Sequence, residues 1–349
     1  MPPAVPARPD MSFPVTRDRL LALVNSFAGR PVVVAGDYVL DRFIYGYPKR
    51  ISREAPVLIL RYWKEESLPG SAGNTAANIR SLGGDPRPVG VIGDDTGAAL
   101  RDILRSRGID TSGLLDVRDY RTPTKTRILG GGPSSIKQQI VRFDREQTLE
   151  ADTRTLKSLL QKLHRSADGA SGAVLSDYGY GSVSPAAVGP LREELSRGAP
   201  ILVDSRHRLP EYRGVDAATP NEEELEEAVG ERLGDSGARL EAAGSRLRTQ
   251  IGCRTLLVTR GSRGMVLFAD EGPPTQIPVH GTDQVADVTG AGDTVIAAFG
   301  LSLAAGASPL EAALLANFAG GVVVMKMGTA TLTANELREA IHSDHALLS

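Results

Sequence analysis

The sequence predicts an α/β fold: a doubly wound, mostly parallel sheet carrying a small antiparallel β lid. Three observations lead there. Short aliphatic runs recur along the 349 residues, each continuous and not alternating, as in strands buried on both faces. Helical patterns separate those runs. Two segments break the rhythm with strand-like runs that have no helix between them.

Met1–Pro14 is proline-rich and reads as a disordered lead-in, so residues 1–29 are expected to form a tail and a first helix before a domain over residues 30–345. Pro31-Val32-Val33-Val34-Ala35 is the first strand, and Gly36-Asp37 ends it. Phe43–Trp63, with Val57-Leu58-Ile59-Leu60, forms the first lid insertion, about residues 42–63. Pro69-Gly70-Ser71-Ala72-Gly73-Asn74 then opens a helix through Leu82. Pro88–Ile92 is a strand and Gly97–Arg107 a helix. The second insertion, about residues 122–143, holds the runs Thr124–Leu129 and Gln139–Phe143. Ala173–Leu175, Ile201–Val203 and Thr255–Val258 are further buried strands, with helices over Pro185–Ser196 and Asn221–Val229 between them. A small antiparallel sheet beside the C-terminal edge of the main one would cover a ligand.

Composition is that of a globular protein, with 41% hydrophobic and 23% charged residues. A formal charge of −2 without a basic stripe argues against nucleic acid as a partner. No apolar stretch has the length of a membrane span, and a cytoplasmic location is expected. The single cysteine, Cys253, excludes an internal disulfide and a Cys-based zinc site, and its place before Leu256-Leu257-Val258 suggests buried packing.

The chemistry gathers in four segments. Asp287-Val288-Thr289-Gly290-Ala291-Gly292-Asp293-Thr294 runs straight into an apolar helix, so its amides collect at a helix N-terminus suited to a phosphate or an oxyanion. An acid there, Asp293, stands where it can take a proton from a nucleophile. Such glycine-rich helix starts are also common capping devices. Asn221 and Glu224 share one helical face and suit a hydrated magnesium ion, although a proline-preceded N-cap explains them as simply. Thr259-Arg260-Gly261-Ser262-Arg263-Gly264 joins two strands, as a hairpin turn or as a backbone cradle for nucleotide phosphates. Asp37 at a strand end and Asn74 at a helix start suit sugar hydroxyls, or serve as turn and cap. Neither a Gly-x-x-x-x-Gly-Lys-[Ser/Thr] loop nor a Gly-x-Gly-x-x-Gly after the first strand is present, against a Walker-type NTPase and a dinucleotide-binding dehydrogenase.

In order and spacing these segments resemble the ribokinase-like (PfkB) carbohydrate kinases over residues 30 to 340. Within them the chain looks closest to the D-glycero-β-D-manno-heptose-7-phosphate kinases of lipopolysaccharide precursor synthesis. Its closer marks are Gly36–Arg42, Arg50-Ile51-Ser52-Arg53-Glu54-Ala55-Pro56-Val57, Leu175-Ser176-Asp177-Tyr178, Asp287–Thr294 and Lys326–Thr331. The resemblance implies an ATP- and Mg²⁺-dependent kinase for a sugar or sugar phosphate. Asp293 would be the base, and the amides of Gly290, Ala291, Gly292 and Asp293 the anion hole. Asn221 and Glu224 would hold magnesium through water. Thr259, Gly261, Ser262, Gly264 and Asn317 would take the nucleotide, and a monovalent cation would sit near Asp287 and Thr289. Asp37, Asp41, Arg50, Gly70, Asn74, Lys125, Arg142 and Asp177 would meet the acceptor, with Arg50 and Arg53 helping to hold its phosphate. The lid would also make a homodimer. A kinase for another acceptor (fructose phosphate, ribose or a nucleoside) and a non-catalytic binder on the same fold remain alternatives. Three departures stand out: Ser71 replaces the second glycine of the family's Gly-Gly turn, and, against the heptose kinases, Tyr180 replaces a lysine and Asp204-Ser205-Arg206 an Asp-Pro-Lys.

Overall fold

The structure, a computed structural model, describes residues 13–132, 137–269, 272–281, 286–344 and 348; the greater part of the expected lead-in, residues 1–12, lies outside them. Nine strands form the main sheet: β1 (Pro31–Gly36), β4 (Asp85–Ile92), β5 (Leu114–Asp116), β8 (Gly172–Asp177), β9 (Ile201–Ser205), β10 (Ala217–Ala218), β11 (Thr255–Thr259), β12 (Met265–Phe268) and β13 (Thr275–Ile277). They lie in the order β13-β12-β11-β10-β9-β8-β1-β4-β5. All pairings from β11 to β5 are parallel, while β12 and β13 run antiparallel at one edge.

The continuous aliphatic runs are explained by two cores, one on each face. Val32 and Val34 join one core, whereas Val33 and Ala35 join the other. The same split divides Val174 from Ala173 and Leu175, and Leu257 from Leu256 and Val258. A strand with helices on both faces has no solvent side on which to place polar residues. The helices Arg17–Asn25, Ala72–Ser81, Ala291–Ala304 and Pro309–Val323 pack into the first core. Thr153–Ala167 and Gly237–Ile251 pack into the second. Among the described residues no helix is long and apolar enough to cross a membrane. Cys253 is buried, and burial pushes its thiol up to about 12.

Four strands make the lid: β2 (Tyr38–Ile51), β3 (Leu58–Ser71), β6 (Thr124–Gly130) and β7 (Gln138–Arg145), in the order β3-β2-β6-β7. The expectation needs two corrections. The first insertion is longer than 42–63, because β2 begins one residue after β1 ends, with Asp37 between them. The lid is also mixed, not antiparallel throughout: β2 pairs parallel with β6, while β2–β3 and β6–β7 are antiparallel. Each insertion is a hairpin whose first strand leaves the C-terminal edge of the main sheet outward. Those two first strands therefore run side by side in the same direction.

Candidate active site

The C-terminal ends of β8, β9, β10 and β11 converge beneath the lid, facing the N-terminus of the helix Ala291–Ala304. Gly290 caps that helix with φ +76°, and a Cβ there would stand 2.5 Å from Asn74 Nδ2. Only glycine accepts both that backbone and that contact. Asp293 lies in the first helical turn and is 3% exposed. Burial pushes its carboxyl up to about 7; hydrogen bonds from Asn74 and Tyr178 and the charge of Lys125 oppose the rise, and Asp41 adds to it. Asn74 Nδ2 donates to Asp293 Oδ2 at 3.0 Å, and Tyr178 Oη donates to Oδ1 at 3.0 Å. Asn74 is itself aimed. Its Oδ1 accepts from Asn78 Nδ2 at 3.1 Å, and Asn78 Oδ1 accepts from the Leu332 amide at 3.2 Å.

Of the anion-hole glycines, Gly290 and Gly292 line the cavity in front of Asp293. The Ala291 amide donates to Val288 O at 3.2 Å and is taken. The amides of Gly292 and Asp293 lie in the first turn, where a helix supplies no acceptor of its own.

Two of the expected sugar contacts sit elsewhere. Asp37 is 1% exposed and accepts the amides of Tyr178 and Tyr180 on Oδ2 and of Ser182 on Oδ1, each at 2.9 Å. It organises the loop after β8 from below and does not face the cavity. Asp177 is likewise consumed: it accepts from Gly179 N, Ser205 Oγ, Tyr212 Oη and the Arg208 guanidinium. Asp41 does line the cavity, paired with Arg127 Nη1 at 2.5 Å and accepting from Thr329 Oγ1 at 3.1 Å. Gly70 gives it room, since a Cβ there would stand 2.5 Å from Asp41 Oδ2.

Positive charge collects at the lid end of this cavity of about 370 Å³, from Lys125, Arg142 and Arg206. Lys125 Nζ stands 5.1 Å from the Tyr178 ring centre and the Arg206 guanidinium 5.8 Å. Burial, helped by Arg206, holds the Lys125 ammonium below its usual range against the pull of Asp41 and Asp293. Arg142 pairs with Asp144 at 3.0 Å. Arg50 is not part of this group. It sits at the exposed far end of β2, in register with Ile59, and donates to Ile51 O. Arg53 follows it into the exposed turn.

A second, mostly apolar cavity of about 180 Å³ adjoins the first through Thr259, Val288 and Gly292. Gly261, Ser262, Gly264, Ala291 and Asn317 also line it. Residues 259–264 are both things the sequence allowed: β11 and β12 are antiparallel across the turn, and Gly261 and Gly264 have φ +56° and +80°. Asn317 is buried and donates to Pro278 O at 2.9 Å.

On the wall of the larger cavity, Asn221 and Glu224 form a reciprocal capping box, at 2.8 and 2.9 Å. The N-cap reading is therefore correct, and both side chains also face the cavity with Thr219 and Asp204. Burial pushes the Glu224 carboxyl up. It pushes Asp204 up further, with the Glu224 and Asp293 carboxylates adding. Thr219 Oγ1 is buried without a hydrogen-bond partner. Crowded carboxylates beside an orphaned hydroxyl are a donor set that suits a hard cation.

The family model for pfkB family carbohydrate kinases matches residues 60–336. The chain belongs to the pfkB family. Among its relatives, the bifunctional protein HldE of Caulobacter sp. (strain K31) is 40% identical over 333 residues, covering 94% of this chain and 66% of the relative. The bifunctional protein HldE of Coxiella burnetii (strain RSA 331 / Henzerling II) is 40% identical over 324 residues, with 91% and 66% covered. The chain thus spans slightly under two thirds of the length of these relatives. Two solved structures share the fold. Phosphofructokinase-2 from Escherichia coli, in complex with substrates and products, superposes with TM-score 0.73 at 18% identity over 90% of this chain and 98% of that one. Arabidopsis thaliana ribokinase, complexed with ribose and ATP, gives 0.70 at 20% identity over 90% and 100%.

For a pfkB kinase the three departures have local explanations. Ser71 lines the cavity with φ +52°, a conformation that costs a non-glycine residue about 1 kcal/mol. Tyr180 Oη donates to Glu146 Oε1 at 2.5 Å, tying the loop after β8 to the end of the lid. Ser205 Oγ donates to Asp177, and Arg206 supplies the cation that lysine would. In the sequence alone Arg127 and Thr219 carry no signal, and Tyr178, Asp204 and Arg206 stand out only as parts of motifs, without a place in the site. Each needs a tertiary partner to acquire meaning.

Proposed function

We propose that this pfkB kinase transfers the γ-phosphate of ATP to a hydroxyl of a sugar phosphate, D-glycero-β-D-manno-heptose 7-phosphate, giving the 1,7-bisphosphate. The observation that carries the reading is the cation group Lys125, Arg142 and Arg206 in the same cavity as Asp293. An unphosphorylated sugar has no use for it, and the HldE relatives support the heptose. The acceptor hydroxyl gives its proton to Asp293 Oδ as its oxygen attacks the γ-phosphorus. The bond to the β–γ bridging oxygen breaks, and ADP leaves. The amides of Gly292 and Asp293 face the charge on the transferring group. Magnesium, held through water by Asn221 and Glu224 with Asp204 and Thr219 beside them, would supply charge neutralisation on the phosphates. A monovalent cation beside Asp287 and Thr289 belongs to the same reading. Each Asp287 oxygen accepts one described backbone amide, from Thr289 and Gly328, and keeps a lone pair. Reliance on ATP fits a cytoplasmic enzyme.

The test is ATP consumption with a panel of acceptors, heptose 7-phosphate included, with and without magnesium. Phosphorylated acceptors should be strongly preferred. Arg206→Ala should raise the acceptor KM about ten- to a hundredfold, leave the ATP KM nearly unchanged and narrow the gap between phosphorylated and free sugars. Parallel losses in both KM values would reject phosphate capture.

The lid also supports the proposed homodimer. It exposes Ile51, Leu58, Trp63, Ile140, Val141 and Phe143, whereas outside the lid the exposed large apolar side chains among the described residues are Leu156, Leu160, Val288, Met325 and Met327. Sedimentation should give a dimer that Phe143→Glu converts to monomer; a monomeric wild type would remove the proposal.

A further inference from the structure

Asp293 is gripped from two sides, and the two grips differ in kind. Asn74 is a fixed amide, aimed by Asn78 and the Leu332 backbone. Tyr178 is different. Its amide is pinned by Asp37, its hydroxyl reaches Asp293, and its ring lies within 6 Å of Lys125 and Arg206. It thus connects the cationic end of the cavity to the carboxylate that faces the acceptor hydroxyl. We propose that Tyr178 is a positioning residue: its hydroxyl fixes the orientation of the Asp293 carboxylate and stabilises its ionised form, so that a remaining lone pair is held toward the acceptor proton.

Among the described residues, charged groups reach the cavity around Asp293 from every element packed there, including Arg127 of β6 (paired with Asp41), Arg142 of β7 and Glu224. Asp41 comes from β2, Lys125 from β6, Tyr178 from the loop after β8, and Asp204 from β9 with Arg206 just beyond. Asp41 and Asp204 disfavour the ionised base, whereas Lys125 and the two hydrogen bonds favour it. Tyr178 keeps its own proton, because burial and the adjacent Asp293 push its phenol well above its ordinary range. It remains a donor at every working pH. Removing the hydroxyl alone leaves the ring, and with it the packing against Lys125 and Arg206.

The inference rests on Asp293 as the base, and the experiment separates the two. Tyr178→Phe should move the acid limb of the kcat profile up by about one pH unit, with the acceptor and ATP KM values little changed. Replacing Tyr178 with 3-fluorotyrosine, a stronger donor, should move the limb the other way. In parallel, ¹³C-carboxyl NMR should show the Asp293 titration displaced upward in Tyr178→Phe, whether or not any acceptor is turned over. A displaced titration in a protein without kinase activity would support the positioning role while sinking the proposed function. An active variant with an unmoved limb and an unmoved titration would overturn the positioning role alone. A rise in acceptor KM without a change in pH profile would also overturn it, making Tyr178 a substrate contact.

Discussion

Replacing Asp293 by asparagine is expected to lower turnover about 10²- to 10⁴-fold while leaving the fold and nucleotide KM near wild type. The amide fits its two partners. Its oxygen can accept from Asn74 Nδ2, and its nitrogen can donate to Tyr178 Oη, which also accepts. What it cannot do is take a proton. Wild-type kcat should fall below about pH 7, where Asp293 becomes protonated, and the variant should lack that limb. Stability should move in the opposite sense. The folded carboxyl titrates near 7 against an ordinary 3.8, so the folded state holds a proton that the unfolded chain has lost across that interval. Its contribution is complete below about 3.8 and is lost as pH rises through about 7. The Asp293→Asn protein escapes that loss, and it should out-melt wild type at pH 8 by a margin that closes toward pH 4. A variant with wild-type turnover would end Asp293's role as base.

The second large effect concerns stability and the lid. Arg127 and Asp41 are both buried and paired at 2.5 Å, with the Arg127 guanidinium 5.2 Å from the Phe43 ring centre. Arg127→Ala leaves the buried Asp41 carboxylate with only Thr329 Oγ1 as described partner. Breaking one side of a buried pair costs roughly 3–5 kcal/mol. Urea unfolding should show that loss, and adding Asp41→Asn should recover part of it by removing the unpaired charge. If Asp41→Asn made matters worse by its full single-mutant cost, the loss would be one of packing and not of charge.

Much of this was legible in the chain itself. Runs such as Val32-Val33-Val34 announce a strand buried on both faces, because no alternation survives when helices cover both sides. The placement of Asp293 could be read because its setting is local: a glycine-rich turn, a helix start and an acid within eight residues. Asp37 and Asp177 misled because a carboxylate at a strand end serves a sugar and a cluster of backbone amides equally well. Only the path of residues 178–182 shows that the amides take Asp37. Arg50 misled for another reason. A long hairpin carries its tip far from its base, and its sequence does not say how far. The parallel pairing of β2 with β6 was hidden because it joins segments more than eighty residues apart, each of which reads locally as a hairpin.

The single-residue join between β1 and β2 fixes where the lid is rooted. Strand β2 continues β1 past Asp37, and β3 returns through Gly70 and Ser71 to a buried helix. The four-stranded plate is thereby rooted at one margin by two very short backbone joints, while β6 and β7 connect to the main body through the longer segments 117–123 and 146–152. Asp37 is itself the first of those joints and also grips three amides of the loop that carries Tyr178. The root of the lid and the foundation of the loop that touches Asp293 are therefore the same carboxylate.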